Sequence, residues 1–146
     1  MTTTLLRKAA FWAALIVSAF NTLSAIGGGI GMVVTNGLGM PPSFLAGSPF
    51  TSFAVPAAVL IVVVGGTQAL ATVLLAARRE SALVWTAVAG IGMLVWIFVE
   101  TMVIRGGSFL QVLYFTTGIA QLVLVLALLG VVAWLPRAPL GRGGAD

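Results

Sequence analysis

Cysteine and histidine are absent from this chain, and only three of its 146 residues are acidic. With neither a thiol nor an imidazole, disulfide exchange, thiol nucleophiles, histidine-ligated haem and the usual zinc sites are excluded. A carboxylate acid–base pair needs two acids within reach of one substrate. Here Glu80 and Asp146 lie beyond the ends of apolar runs, and Glu100 stands alone inside one. A phosphate loop of Walker or Rossmann type is missing too, because Gly27-Gly28-Gly29-Ile30-Gly31 follows no strand. The chain is therefore read as a non-enzyme, with no cofactor and no metal site expected.

Charge is scarce as well. Hydrophobic residues make up 60% of the chain and charged ones 7%, and the mean hydropathy is +1.18. Soluble domains average about 45–50% apolar and about 25% charged, so the bilayer must be the solvent. No charge occurs between Lys8 and Arg78 or between Arg105 and Arg137. Uncharged apolar runs longer than about 18 residues are transmembrane candidates. The net charge of +4 does not point to nucleic acid. The positive residues flank apolar runs instead of clustering on one solvated face.

In chain order, a polar start at Met1–Lys8 leads into a first span over about 9–33. A positive start before an apolar run imitates a signal peptide. Leu23-Ser24-Ala25 is a poor cleavage site, however, and a retained span is expected. Val34–Ser52 is uncharged and broken by Gly37, Gly39, Pro41, Pro42, Gly47 and Pro49. A short helical turn from Pro42, lying against the helices, is expected there. Three further spans follow at about 53–77, 82–104 and 109–134. They are joined by the tight turns Arg78-Arg79-Glu80-Ser81 and Arg105-Gly106-Gly107-Ser108. A Pro/Gly-rich tail closes the chain over 135–146.

Those spans predict an all-α polytopic membrane protein, a four-helix up-down bundle with an extracytoplasmic loop folded onto it. Arg7, Lys8, Arg78, Arg79, Arg137 and Arg142 fall on one side, and Arg105 alone on the other. The positive-inside bias then puts both termini and the tail in the cytoplasm, with the protein in the cell membrane. Trp12, Trp85 and Trp134 sit at the cytoplasmic boundary, where belt aromatics belong.

Each span carries small and polar residues at helical spacing, which keeps them on one face. The stripes are Asn21, Ser24, Gly28 and Gly31; Gly65, Gln68 and Thr72; Ala89, Gly92, Trp96 and Glu100; and Gln111, Gly118 and Gln121. Gly27 and Gly31 also match the GxxxG spacing of close helix pairs. Asn21, Gln68 and Gln121 are expected to form an inter-helix polar seam near the midplane. Glu100 is expected under the Val34–Ser52 loop, facing Gln111 or Tyr114, with Trp96 as a wall. An acid inside hydrocarbon costs about 2.5–3.5 kcal/mol on insertion scales, so it has to face something other than lipid.

Asn21 before a glycine cluster, a long apolar Pro/Gly loop, and Phe53-Ala54-Val55-Pro56 opening a helix that carries Gly65-Gly66 together resemble the DoxX-like group of bacterial membrane proteins. The basic turn and Phe109-Leu110-Gln111 are similar to uncharacterised actinobacterial members. The resemblance implies a four-helix bundle with a loop folded onto it, in the company of respiratory or redox enzymes. The chain departs from the group in its second span, where Gln68 is the strongly polar residue and many members carry an acid.

Two functions are compatible with these residues. One is an accessory or scaffold subunit of a larger envelope or respiratory membrane complex, with other membrane subunits as partners. The alternative is a carrier or binding protein for a lipid or small apolar molecule. Its pocket would lie under the loop, near Glu100, Gln111, Trp96 and Tyr114. Quinone contact at the same place is a variant that needs a redox partner.

Overall fold

The structure, a computed structural model, describes residues 2–103 and 107–131. Its described residues form α1 (Thr2–Val34), α2 (Ala54–Val59), α3 (Gly66–Ala76), α4 (Ala82–Val103) and α5 (Phe109–Leu128). A π-helical stretch, Leu60–Gly65, joins α2 to α3. Among the described residues, four helices are long and apolar enough to cross a membrane: Thr3–Val34, Ala54–Ala76, Ala82–Val103 and Phe109–Leu128. At about 1.5 Å per residue, the 22 residues of α4 reach about the 30 Å of a hydrocarbon core.

Two helix ends differ from the expected spans. The polar start is helical from Thr2 onward, because Thr2–Lys8 contains no glycine or proline and includes the good helix formers Leu5, Leu6, Arg7 and Lys8. At the other end α5 stops at Leu128, short of Trp134. Gly130 has φ +74°, and its N–H donates to Ala127 O at 3.1 Å while Val131 N–H donates to Leu126 O at 3.1 Å. This is a Schellman closure, which needs a left-handed residue and so selects the glycine. An apolar run does not reveal such a stop. Arg105, Trp134, Arg137, Arg142 and the tail expected over 135–146 lie outside the described residues.

The helices approach through small side chains. Ala14, Ala57, Ala71 and Ala89 are fully buried. Gly90 of α4 and Gly118 of α5 face each other so closely that a Cβ on either would lie 3.1 Å from the other's carbonyl oxygen. Packing of this kind holds helices together in lipid, where apolar side chains gain nothing by leaving the solvent. The contact between α1 and the Ala54–Ala76 rod uses Gly29, where a Cβ would overlap Ile61. Gly27 of the expected GxxxG pair is exposed, with nothing near its Cβ position. Gly27 and Gly31 do not share the buried face of α1, whose buried positions are Ala14, Ser18, Asn21, Ala25, Gly29 and Met32.

α1 and the Ala54–Ala76 rod touch in opposite chain order. Phe11 meets Arg78, Thr22 meets Thr72, and Gly28 approaches Leu60. On the other side Gln68 reaches Ala89. Within the π stretch the hydrogen-bond register is wide. Thr67 Oγ1 donates to Val63 O at 2.7 Å and Val64 O at 3.1 Å, where the register returns to α-helical.

The segment over 35–53 packs on one end of the helices. Thr35 Oγ1 donates to Gly31 O at 2.8 Å and accepts Leu38 N–H at 2.8 Å. Asn36, Gly37, Leu38 and Gly39 all have positive φ, so the chain curls tightly there. At Gly37 a Cβ would sit 2.6 Å from the Phe53 ring, so only glycine fits. A 3-10 turn follows at Pro42–Leu45, where the proline needs no N–H partner. Leu45 and Phe53 are buried together with Met32 of α1 and Ala57 of α2, and Met40 and Phe50 pack against them.

Candidate functional site

Two polar regions lie among the helices, and they differ in kind. The first is a closed amide cluster. Ser18, Asn21, Gln68 and Gln121 are all fully buried. Gln68 Nε2 donates to Gln121 Oε1 at 2.9 Å, and Gln121 Nε2 donates back to Gln68 Oε1 at 2.7 Å. The remaining donor of Gln121 goes to Ser18 Oγ at 2.9 Å, and that of Gln68 to Ala89 O at 3.1 Å. Asn21 Nδ2 also reaches Gln121 Oε1, at 3.4 Å. Two primary amides paired in this way use all their donors, which is what burial requires. The structure thus brings together Asn21, Gln68 and Gln121 of the expected seam. It adds Ser18 and the Ala89 carbonyl, which sequence reasoning missed. Ser18 stands one turn before Asn21 on the same face, and that spacing was the available signal. Among the described residues, Asn21 Oδ1 is the buried side-chain atom without a partner.

The second region surrounds Glu100, near the end of α4 that the 35–53 segment covers. The inward face of α4 is Ala82, Thr86, Ala89, Met93 and Ile97. Glu100 is half-buried on its flank, as are Gly92 and Trp96. Glu100 therefore stands apart from the closed amide cluster of Asn21, Gln68 and Gln121. At that level the centre between the helices is apolar, built from Ala25, Val64, Met93 and Ile97 with Leu60, Trp96 and Tyr114 against them. The acid avoids this centre by standing beside two hollows.

One hollow is a chamber of about 270 Å³ between α1, α4 and α5. Trp96, Glu100, Gln111 and Tyr114 all line it, together with Ser24 and Gly28 of α1. Leu38 and Met40 of the curled segment roof it. Gln111 also acts locally. Its Oε1 accepts the Ser108 N–H at 3.1 Å at the start of α5, as a third helical residue does in a capping box. Tyr114 stacks with Phe20 of α1, ring centroids 6.2 Å apart.

The other hollow is a cleft of about 390 Å³ on the far side of Trp96 and Glu100, between α4 and the Ala54–Ala76 rod. Its walls include Pro56, Val59, Val63, Val95 and Val99, with Phe50 at the covered end. Val63, Val95 and Val99 are exposed along its rim, so it opens sideways. Residue composition carries no sign of this cleft. It forms where the π stretch sets Val63 and Val64 against Gly92 and Trp96.

Trp96 and Glu100 line both hollows. No lysine or arginine lines either one among the described residues. Nor, among the described residues, do three histidine, cysteine or acidic side chains come together as a metal site would need. What the region offers is one carboxyl group, neutral hydrogen-bonding groups and apolar wall. No protein-family model, curated protein or solved structure matches this chain.

Proposed function

We propose that this protein is an up-down four-helix membrane protein that binds a lipid or small apolar molecule in the chamber beneath the 35–53 segment. One observation carries the reading: Trp96, Glu100, Gln111 and Tyr114, from two helices, surround a single hollow under a tightly built roof. Concave, mostly apolar sites with a few convergent polar groups are the usual form of a small-molecule site. An ionisable residue at membrane depth that faces a cavity marks function more often than packing. Arg7, Lys8, Arg78 and Arg79 support a cytoplasmic placement of the opposite end, which turns the roof and chamber outward. Membership of the DoxX-like group remains part of the proposal on the pattern of segments alone.

The test is native mass spectrometry of the full chain after gentle detergent extraction. Wild type is expected to carry a stoichiometric lipid-sized adduct. Gly28→Leu should lose it, because Gly28 lines the chamber and its Cβ position is 3.9 Å from the nearest atom, Leu60 Cδ2. Replacing a mid-helix glycine with leucine also favours the helix, so this variant should fold. An adduct that survives Gly28→Leu overturns the reading. A wild type free of lipid but bound to a larger partner chain establishes the accessory-subunit function instead.

A further inference from the structure

The two hollows share a wall but differ in chemistry, and the difference defines a ligand. The chamber holds Ser24, Ser108, Gln111 and Tyr114; the cleft is lined by valines, Pro56 and Phe50, with Glu100 and Trp96 at the shared edge. At about 270 Å³ the chamber falls just below the range of drug-sized sites, about 300–1,000 Å³. It suits a small head group better than a whole lipid. The cleft is larger, and its exposed rim at Val63, Val95 and Val99 opens toward the hydrocarbon that the spanning helices imply.

We infer, resting on the binding function proposed above, that chamber and cleft are two compartments of one site for a single-chain amphiphile whose head is a hydrogen-bond donor, an amine or an alcohol. The head sits in the chamber against Glu100, Gln111 and Tyr114. The chain passes the Trp96–Glu100 edge and lies in the cleft. Entry is lateral, through the valine rim. The charge balance sets head-group preference: the carboxyl of Glu100 accepts from an ammonium or hydroxyl group. A cationic head would favour the ionised form of Glu100, and a carboxylate or phosphate head would oppose it, with no cationic side chain among the described lining residues to offset that opposition. The protein itself gives the acid a hydrogen bond from Trp96, and the ligand head adds a second partner beside an otherwise largely apolar wall.

The experiment uses full-length protein in phosphatidylcholine vesicles, with Trp12, Trp85 and Trp134 changed to phenylalanine so that Trp96 alone reports. Dodecylamine, dodecanol and dodecanoate are titrated as probes. Each is corrected for partition into protein-free vesicles. Saturable changes in Trp96 emission are expected for the amine and the alcohol, with dodecanoate at least about tenfold weaker, equivalent to about 1.4 kcal/mol. Glu100→Gln should erase the advantage of amine over carboxylate. Val95→Phe, which fills the cleft, should weaken dodecylamine about tenfold and leave butylamine unchanged. Dodecanoate binding as tightly as dodecylamine, or a chain-length dependence that survives Val95→Phe, overturns the inference. If Gly28→Leu still abolishes the native adduct in that case, the chamber function stands and this deeper assignment alone falls. If Gly28→Leu leaves the adduct in place, both fall.

Discussion

Gln121 and Gln111 are the same amide on the same helix, in opposite circumstances. Gln121 is fully buried, and its side chain bonds to Gln68, Ser18 and Asn21. Gln111 is half-buried, caps the start of α5 through Ser108, and otherwise edges a hollow. The difference lies in what neighbouring helices bring to the same level. Around Gln121 they bring complementary amides and a serine, with Gly90 and Gly118 allowing close approach. Around Gln111 they bring Gly28 and Ser24 of α1, which are too small to fill the space, and the acid of α4. Matched polar groups in a tight crossing become structure. Around the hollow the polar groups edge space that a ligand can occupy.

If this contrast is right, stability should concentrate at the tight crossing and ligand binding at the covered end. The largest effect is expected for Gly118→Leu. Its Cβ would lie 2.9 Å from Leu94 Cδ2 and 3.1 Å from the Gly90 carbonyl oxygen, and overpacking of this kind costs about 1–3 kcal/mol. A loss near the top of that range, measured by unfolding in mixed micelles, is expected; a neutral result would show that the crossing is loose.

Next comes Gln121→Leu, which strands Gln68 and Ser18 in a buried setting. Each buried polar group left unpaired costs about 1–3 kcal/mol, although inter-helix bonds in membranes average only about 0.6 kcal/mol. A loss of about 2 kcal/mol is expected in the same assay. The contrast sharpens with Gln68→Leu combined with Gln121→Leu. Removing both amides together strands fewer groups than the two single changes do. The double variant should be more stable than additivity predicts, by about 1 kcal/mol. Additive losses would mean that the two amides do not act as a pair.

The smallest stability effect belongs to Glu100→Gln, which keeps shape and hydrogen-bonding capacity on a half-buried flank. It should stay within about 0.5 kcal/mol of wild type while changing which head group the chamber selects. A large loss of stability at Glu100 with no change in binding would reverse the contrast, making the acid a packing element.

Much of the architecture was legible in the chain because hydropathy and breakers act locally. Long uncharged runs show the four membrane-length helices, and the breakers from Gly37 to Pro49 show where regular helix stops. A 3-10 turn stands at Pro42, where the proline pattern places a helical turn. Other features were less visible. The helix-stopping role of Gly130 depends on a left-handed backbone and two reverse hydrogen bonds, which hydropathy does not encode. The GxxxG spacing pointed to Gly27, but the rotation of α1 selects Gly29, and a residue spacing does not specify absolute helix rotation. Glu100, Gln111, Trp96 and Tyr114 could be grouped by depth because rise per residue is constant. Depth leaves open whether the space between them is filled.

Residue order and polarity were enough to require helices of membrane length and to set the acid and the amides at different depths, because backbone hydrogen bonds in hydrocarbon must close within each segment. The pairing of Gln68 with Gln121, the flank position of Glu100 and the two hollows beside it came from how four rods rotate and approach. Those rotations depend on glycines, a π stretch and a curled roof acting across helices far apart in the chain. Contacts of that kind exist only once all the rods are in place, so no local pattern of residues carries them.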